Sequence, residues 1–389
     1  MKNRKFFDEI TDRTGTHSIK WDRVKEGGLA MWIADMDFRT PHAVTDSIIK
    51  RAENGIFGYT DIPDEWYCAY QKWWKDRYNF SINKEWLIFT TGVIPAISSI
   101  IRKMTTPAEN VVVMTPVYNM FFDSILDNGR NVLESRLVYN DGKYSIDFAD
   151  LEEKLARPQT SMLIFCNPHN PVGKIWDRET QQKIGELCDK YHVLVLSDEI
   201  HCDLTEPGKD YIPFASVSDT CRKLSITCVA PTKAFNLAGI QTAAVIIPDA
   251  YLRHKVNRGL NTDEVAEPNV FAAIAPVVAF QQGGSWLDEL KEYLWENRKY
   301  AEEYIAREIP QVSAVKGQAT YLLWIDCTGI AKKDTKFSSF IRESSGLYLS
   351  DGAEYRNGEG FLRMNLACSR EVLKDGLQRF RQSVQAYLE

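Results

Sequence analysis

Short apolar, β-rich runs alternate with helical periodicity through the middle of the chain. The runs lie at 111–114, 132–137, 162–166, 193–196, 224–229 and 242–247, each the length of a buried strand. Helical patterns at 120–127, 148–155 and 178–191 fall between some of them. Ahead of this region, 41–54 and 63–78 are helical in period, each with a proline near its first turn. Such alternation predicts an α/β fold, with a mainly parallel central sheet flanked by helices. Ligands of such sheets sit beyond the carboxyl ends of the strands.

A long helical pattern at 286–308 leads into a region of mixed strands (318–325, 346–349, 361–366) and helices (337–343, 370–388). That mixture predicts a smaller α+β domain. Residues 1–30 are polar and irregular, an arm rather than a domain. The expected division is an arm with part of the small domain at 1–45, a large domain at 46–285 and a small C-terminal domain at 286–389.

Composition narrows the class without naming a function. A chain of 389 residues, 44% hydrophobic and 26% charged, can bury a sizeable core. The net charge of −6 is mild, with acids and bases interleaved, so no nucleic-acid surface is expected. No window approaches the roughly 20 apolar residues of a membrane span, and the basic N-terminus lacks the apolar stretch of a signal peptide. Eight scattered cysteines, without C-x-x-C or zinc spacing, suggest a reduced, cytoplasmic protein and no metal site. Trp66, Trp73 and Trp74 recur at helical spacing, which fits core or subunit-interface packing better than a binding box.

Four loops, read as following strands, carry the candidate chemistry. In 166–173, Cys-Asn-Pro-His-Asn-Pro-Val-Gly, two Asn-Pro steps bias the backbone away from helix. They are expected to leave amide side chains, Asn170 among them, exposed at the strand end. In 197–203, Ser-Asp-Glu-Ile-His-Cys-Asp, acids and a histidine at a buried strand end need partners. A cation held against Asp198 would serve, such as a protonated heterocyclic nitrogen. Helix capping by Asp198, or a metal on Asp198, His201 and Asp203, are competing readings. In 230–239, Lys233 stands on a small-residue turn after a strand, where an amine can be held partly neutral and nucleophilic. A solvated loop lysine is the ordinary alternative. Lastly, Gly92 and Val93 open a helical pattern whose free N–H groups can hold a phosphate. A reactive amine, an acid for a ring N–H⁺, an amide donor and a phosphate cradle together match the needs of pyridoxal 5′-phosphate.

In this order the motifs resemble those of fold-type I, class I/II aminotransferase-like enzymes that depend on pyridoxal 5′-phosphate. The segments at 31–38 (Met-Trp-Ile-Ala-Asp-Met-Asp-Phe), 58–60, 197–201 and 360–366 are similar to the MalY/PatB branch of cystathionine β-lyases, or C–S lyases. The resemblance implies that Lys233 carries the cofactor as a Schiff base and that Asp198 pairs with its pyridine nitrogen. Asn170 would meet the cofactor's 3-oxygen and Tyr118 would stack on its ring. Gly92 and Val93 would cradle the phosphate, with Thr232 and His201 also in contact. Tyr59 would reach that phosphate from the other subunit of a homodimer with shared active sites. Arg363, with Asn170 and Tyr118, would bind the amino-acid substrate by its α-carboxylate. His201 stands where the wider family has tyrosine, Gln241 where it has arginine, and Ala230 where a hydroxyl residue is common.

The implied reaction is α,β-elimination of L-cystathionine or related S-substituted cysteines to a thiol, pyruvate and ammonia. Transamination shares its early steps and is the first alternative. A cofactor-binding regulatory protein without turnover is the second, and the complete residue set argues against it.

Overall fold

The computed structural model describes residues 4–331 and 336–389. Its centre is a seven-stranded sheet: β1 (Leu87–Thr90), β2 (Asn110–Thr115), β3 (Asn131–Arg136), β4 (Thr160–Cys166), β5 (Leu194–Asp198), β6 (Ser225–Val229) and β7 (Ala243–Ile246). The spatial order is β1-β7-β6-β5-β4-β2-β3. Strands β2 to β6 pair in parallel, and only β7 runs antiparallel to its two neighbours. Burial on both faces explains the unbroken apolar runs; Met162, Leu163, Ile164 and Phe165 in β4 are all at most 1% exposed. Burying each such side chain contributes roughly 1.5–3 kcal/mol.

Helices cover the sheet where the periodicity placed them. In α1 (Asp64–Tyr78), Trp66, Tyr70, Trp73 and Trp74 form one buried face, and Asn79 ends the helix in the left-handed conformation at φ 49°. Tyr70, Trp73 and Trp74 pack around Phe280, and Trp66 packs on Tyr70 and Phe89, so the tryptophans belong to the core of this chain. Helix α2 (Val93–Met104) follows β1 directly, with Gly92 at its N-cap. Helix α3 (Gly284–Glu308) leads to a second, antiparallel sheet of β8 (Ser313–Ala314), β9 (Leu322–Asp326), β10 (Ser350–Asp351) and β11 (Phe361–Asn365), in the order β8-β9-β11-β10. Helix α4 (Arg370–Leu388) completes that layer, its Ser369 cap accepting from Val372 N.

Three expectations need correction. The N-terminal arm is not irregular throughout: Arg4–Asp8 is helical, and Phe7 is buried against Phe38, Trp286 and Tyr293. The arm ends in Leu29–Ala30, which pairs in parallel with Leu347–Tyr348, so the strand expected at 346–349 serves the arm rather than the second sheet. Strand β1 and the helices Ala250–Thr262 and Ala275–Gln282 lay outside the predicted elements.

Gly173 joins the two layers. Its carbonyl accepts from Gln318 N at 2.7 Å and Ala319 N at 3.0 Å. Its φ is +69°, and a Cβ there would stand 3.0 Å from the Ala319 carbonyl oxygen. Only glycine meets both demands without strain.

Candidate active site

The loops after β4, β5 and β6 and the start of α2 converge on a cavity of about 280 Å³. Asn170, Asp198, His201, Lys233, Tyr118 and Thr232 line it, together with Gly92 and Val93.

Lys233 stands on a loop closed by Phe235 N to Pro231 O and Leu237 N to Thr232 O, both 2.9 Å. Its Nζ donates to the Ala34 carbonyl at 2.5 Å. Burial, then the charge of Arg363, lowers its pKa to about 8, while Asp35 and Asp198 pull the other way. This is not a solvated lysine.

Asp198 is 4% exposed at the end of β5. Its Oδ1 accepts from Ile200 N at 3.1 Å, but the following residues form turns and no helix, so capping does not account for it. Burial raises its pKa to about 6, offset by the Ile200 N–H and the Lys233 charge. Asp203, the other acid of the segment, turns away and accepts from Trp73 Nε1 at 2.9 Å and from Tyr78 Oη, both on α1. Among the described residues no group of His, Cys, Asp and Glu side chains is placed to hold a metal. Burial, with Lys233 and Arg363 nearby, drives His201 down to about 3, so its ring is neutral at pH 7. Tyr118 is pushed up to about 12, chiefly by burial.

The asparagines of the 166–173 loop are not exposed as anticipated: Asn167 is fully buried and Asn170 is 4% exposed. The loop folds inward because Asn167 Oδ1 accepts from Trp176 N at 3.2 Å and Asn170 Oδ1 accepts from Arg363 Nη1 at 3.1 Å. Arg363, on β11, also donates to Trp32 O at 3.0 Å and lies over the Tyr355 ring at 5.0 Å. Among the described residues it has no ion-pair partner. Tyr59 does not line the cavity of its own chain; it is fully exposed on the 55–63 loop.

The donor set fits pyridoxal 5′-phosphate. Arg363 Nε and His201 Nδ1 are buried without a hydrogen-bond partner. The first-turn N–H groups of α2 have no intrahelical acceptor, and Gly92, Val93 and Ile94 line the cavity. Positive and polar donors thus wait for anionic and ring oxygen groups, with one carboxylate opposite them.

Sequence reasoning missed the contribution of the 32–37 segment. Its backbone carbonyls accept from Arg363, Lys233, Tyr321 and Asn365. Asn236 holds the segment too, donating to Met36 O and Phe38 O at 2.9 and 2.8 Å. The motif at 31–38 was the available signal, but a carbonyl acceptor leaves no residue-type signature.

A mainly parallel sheet whose loops bring a buried lysine, a buried carboxylate and a helix N-terminus to one cavity defines the class. The sequence model of the family "Aminotransferase class I and II" matches residues 31–380, and the chain belongs to that family. Within it, the chain is 42% identical to cystathionine beta-lyase PatB of Bacillus subtilis, over 96% of this chain and 98% of that protein. It is 30% identical to protein MalY of Escherichia coli, over 95% of this chain and 96% of the relative. The fold is similar to that of cystalysin from Treponema denticola, whose crystal structure contains a pyridoxal 5′-phosphate cofactor, with a TM-score of 0.95 and 30% identity over 98% of this chain and 99% of the other.

Proposed function

We propose that this chain is a pyridoxal 5′-phosphate-dependent carbon–sulfur β-lyase. It catalyses α,β-elimination from L-cystathionine and related S-substituted cysteines, yielding a thiol (homocysteine from cystathionine), pyruvate and ammonia. The carrying observation is the meeting of the Lys233 amine, the Asp198 carboxylate and, through Asn170, the Arg363 guanidinium at one cavity. Full-length likeness to a cystathionine beta-lyase supports a sulfur substrate over other amino acids.

Lys233 would hold the cofactor covalently, with Asp198 at its ring nitrogen, Asn170 and His201 at its polar edge, and Tyr118 on its face. Thr232 and the N–H groups of Gly92 and Val93 would take the phosphate. When bound, the cofactor draws the electron pair left at the substrate Cα into its ring, which acidifies the Cα proton. Arg363 binds the α-carboxylate with its planar fork of donors. Once the substrate amine has displaced it, Lys233 Nζ takes the Cα proton, and the burial that lowers its pKa favours the neutral amine. The Cα electron pair then forms the Cα=Cβ bond while the Cβ–S bond breaks, and the sulfur leaves as a thiolate that collects a proton. The unsaturated amino acid left behind hydrolyses to pyruvate and ammonia.

The site is read as complete only in a homodimer, with Tyr59 reaching the phosphate of the partner. Ile56 and Phe57 beside it are 69% and 60% exposed, an apolar surface that a second copy would cover. The domain division is read as 46–285 for the cofactor-binding part and 286–389, with part of the arm, for the smaller one. Eight free cysteines, seven of them buried, support a reducing, cytoplasmic setting. Among the described residues, no helix is long and apolar enough to cross a membrane.

Incubation with L-cystathionine tests the reading. Pyruvate and free thiol in equal amounts, without added keto acid, are expected. Amino transfer that requires a keto acid, with no thiol released, would replace it with the aminotransferase reading.

A further inference from the structure

The reaction above leaves unused a charge cluster built around a buried lysine of the N-terminal arm. Lys20, in the N-terminal arm, is 1% exposed. Its Nζ donates to Asp37 Oδ2 at 2.9 Å and to Asp35 O at 3.1 Å. Arg13 forks onto Asp35, with Nη2–Oδ2 at 2.9 Å and Nη1–Oδ1 at 3.1 Å, and also reaches Asp37 Oδ1 at 2.9 Å. Trp21 Nε1 adds a third donor to Asp37 at 2.9 Å. Taking a lysine ammonium fully out of water costs several kcal/mol unless geometry and hydrogen bonds offset it. Hydrophobic residues would fill the same space more simply, so the cluster is better explained by the geometry it fixes than by stability.

What it fixes is the segment 32–37, which delivers its carbonyls to the site in alternation. Trp32 O accepts from Arg363, and Ala34 O accepts from both Lys233 and Tyr321. Between them, Ile33 O and Asp35 O share the amide of Asn365, two residues beyond Arg363 on β11. Neither Arg13 nor Lys20 lines the cavity, yet both bind the carboxylates of Asp35 and Asp37, which follow those backbone acceptors along the segment.

We propose that Arg13 and Lys20, through Asp35 and Asp37, are positioning residues that clasp the N-terminal segment over the site and thereby aim Arg363 and Lys233. This rests on the roles proposed above for those two residues. The clasp acts in two separable ways. Mechanically, it holds the Trp32 carbonyl against the Arg363 guanidinium, which sets substrate affinity. Electrostatically, Arg13 and Lys20 neutralise Asp35, which otherwise favours a proton on the Lys233 nitrogen. The charged groups acting on that nitrogen are Arg363 from β11, Asp35 from the segment and Asp198 from β5, with neutral His201 close by.

The test uses the holoprotein and three variants, Arg13→Met, Asp35→Asn and Asp37→Asn, with Lys72→Ala at an exposed ion pair as control. One readout is KM against kcat; the other is the pH titration of the bound cofactor's visible absorbance, which reports the proton on the lysine nitrogen. All three variants are expected to raise KM by roughly tenfold or more, because small displacements of a binding group are expensive. Arg13→Met should move the titration upward and Asp35→Asn downward, each on the order of half a pH unit. A loosened fold alone cannot produce shifts of opposite sign. If Arg13→Met does not fold, the Asp35→Asn shift and the Asp37→Asn KM decide the matter. Wild-type KM and titration in the folded variants overturn the clasp, and so do shifts of one sign. Turnover that survives Lys233→Ala overturns the underlying lysine role instead, whatever the clasp variants show.

Discussion

Arg363 Nη1 lies 3.1 Å from Asn170 Oδ1, so a guanidinium from the second sheet and an amide from the loop after β4 meet at the cavity wall. The two residues are 193 positions apart, and neither sheet alone could form the contact. The pair leaves Arg363 Nε buried and free to donate, which fits the arrival of a carboxylate. Arg363→Lys replaces a planar fork with a point charge and strands both Asn170 Oδ1 and the Trp32 carbonyl. The expected result is kcat/KM lower by about 100-fold, mostly through KM, the size of a lost charge-assisted contact. Steady-state kinetics with cystathionine check it; an unchanged KM would remove Arg363 from substrate binding.

Asp198→Asn keeps the shape and the Ile200 N–H contact but removes the anion. A loss in kcat of roughly 100- to 1,000-fold is expected, the scale for removing one preorganised electrostatic partner. In the wild type, cofactor affinity should weaken as pH falls through about 6, where burial has brought this carboxyl. Cofactor titrations of the apoprotein at several pH values measure that; the Asn variant should show no such pH dependence.

Lys233 also makes a prediction about stability. Its folded pKa of about 8 lies below the ordinary lysine value of 10.5 because burial penalises the charged form. The folded chain therefore binds that proton more weakly than the unfolded chain does. Below about 8 both are charged and the full penalty applies; between 8 and 10.5 it fades as pH rises. Cofactor-free Lys233→Met should thus be more stable than the wild type at pH 7 by on the order of 2–3 kcal/mol, with most of the gain gone by about pH 10. Urea unfolding at the two pH values checks both sign and window, and a gain that grows with pH would contradict it.

Gly173→Ala tests the junction between the sheets. The new methyl meets the Ala319 carbonyl at 3.0 Å and the backbone stays at φ +69°. A loss of about 1–3 kcal/mol is expected, read as a lower midpoint in denaturant. Because the 166–173 loop carries Asn170, KM should rise with it. A variant as stable as the wild type would show that the loop can shift freely.

Much of this site was legible in the residues because its chemistry is carried by side chains on loops after strands. Asn170, Asp198 and Lys233 each follow a short apolar, β-rich run read as a buried strand, and α/β topology brings those ends together. Arg363 required the family resemblance, since its partners lie in the first sheet and in the arm. The arm resisted reading for a physical reason. Phe7, Arg13, Lys20 and Asp35 are held by tertiary contacts with no period along the chain, so they look like ordinary polar sequence. Strand β1 escaped because Leu87–Thr90 is short and runs straight into Thr91-Gly92. The buried Asn170 shows the same limit, since turn propensity fixes the backbone bend but not which way the amide faces.

The antiparallel strand β7 has a consequence for how the molecule is made. Among the described residues, Ala243–Ile246 form the only bridge between β1, Leu87–Thr90, and the rest of the central sheet. On the ribosome, β1 therefore has no docking edge until more than 150 further residues have been synthesised, and such distant pairing is slow. The helix that begins at Val93 can pack meanwhile against Met120–Leu126, but the strand that leads into its N-terminus has no neighbour for the same interval. A nascent chain stopped short of residue 243 would lack a fixed place for the vitamin's phosphate even though Asp198 and Lys233 had already emerged.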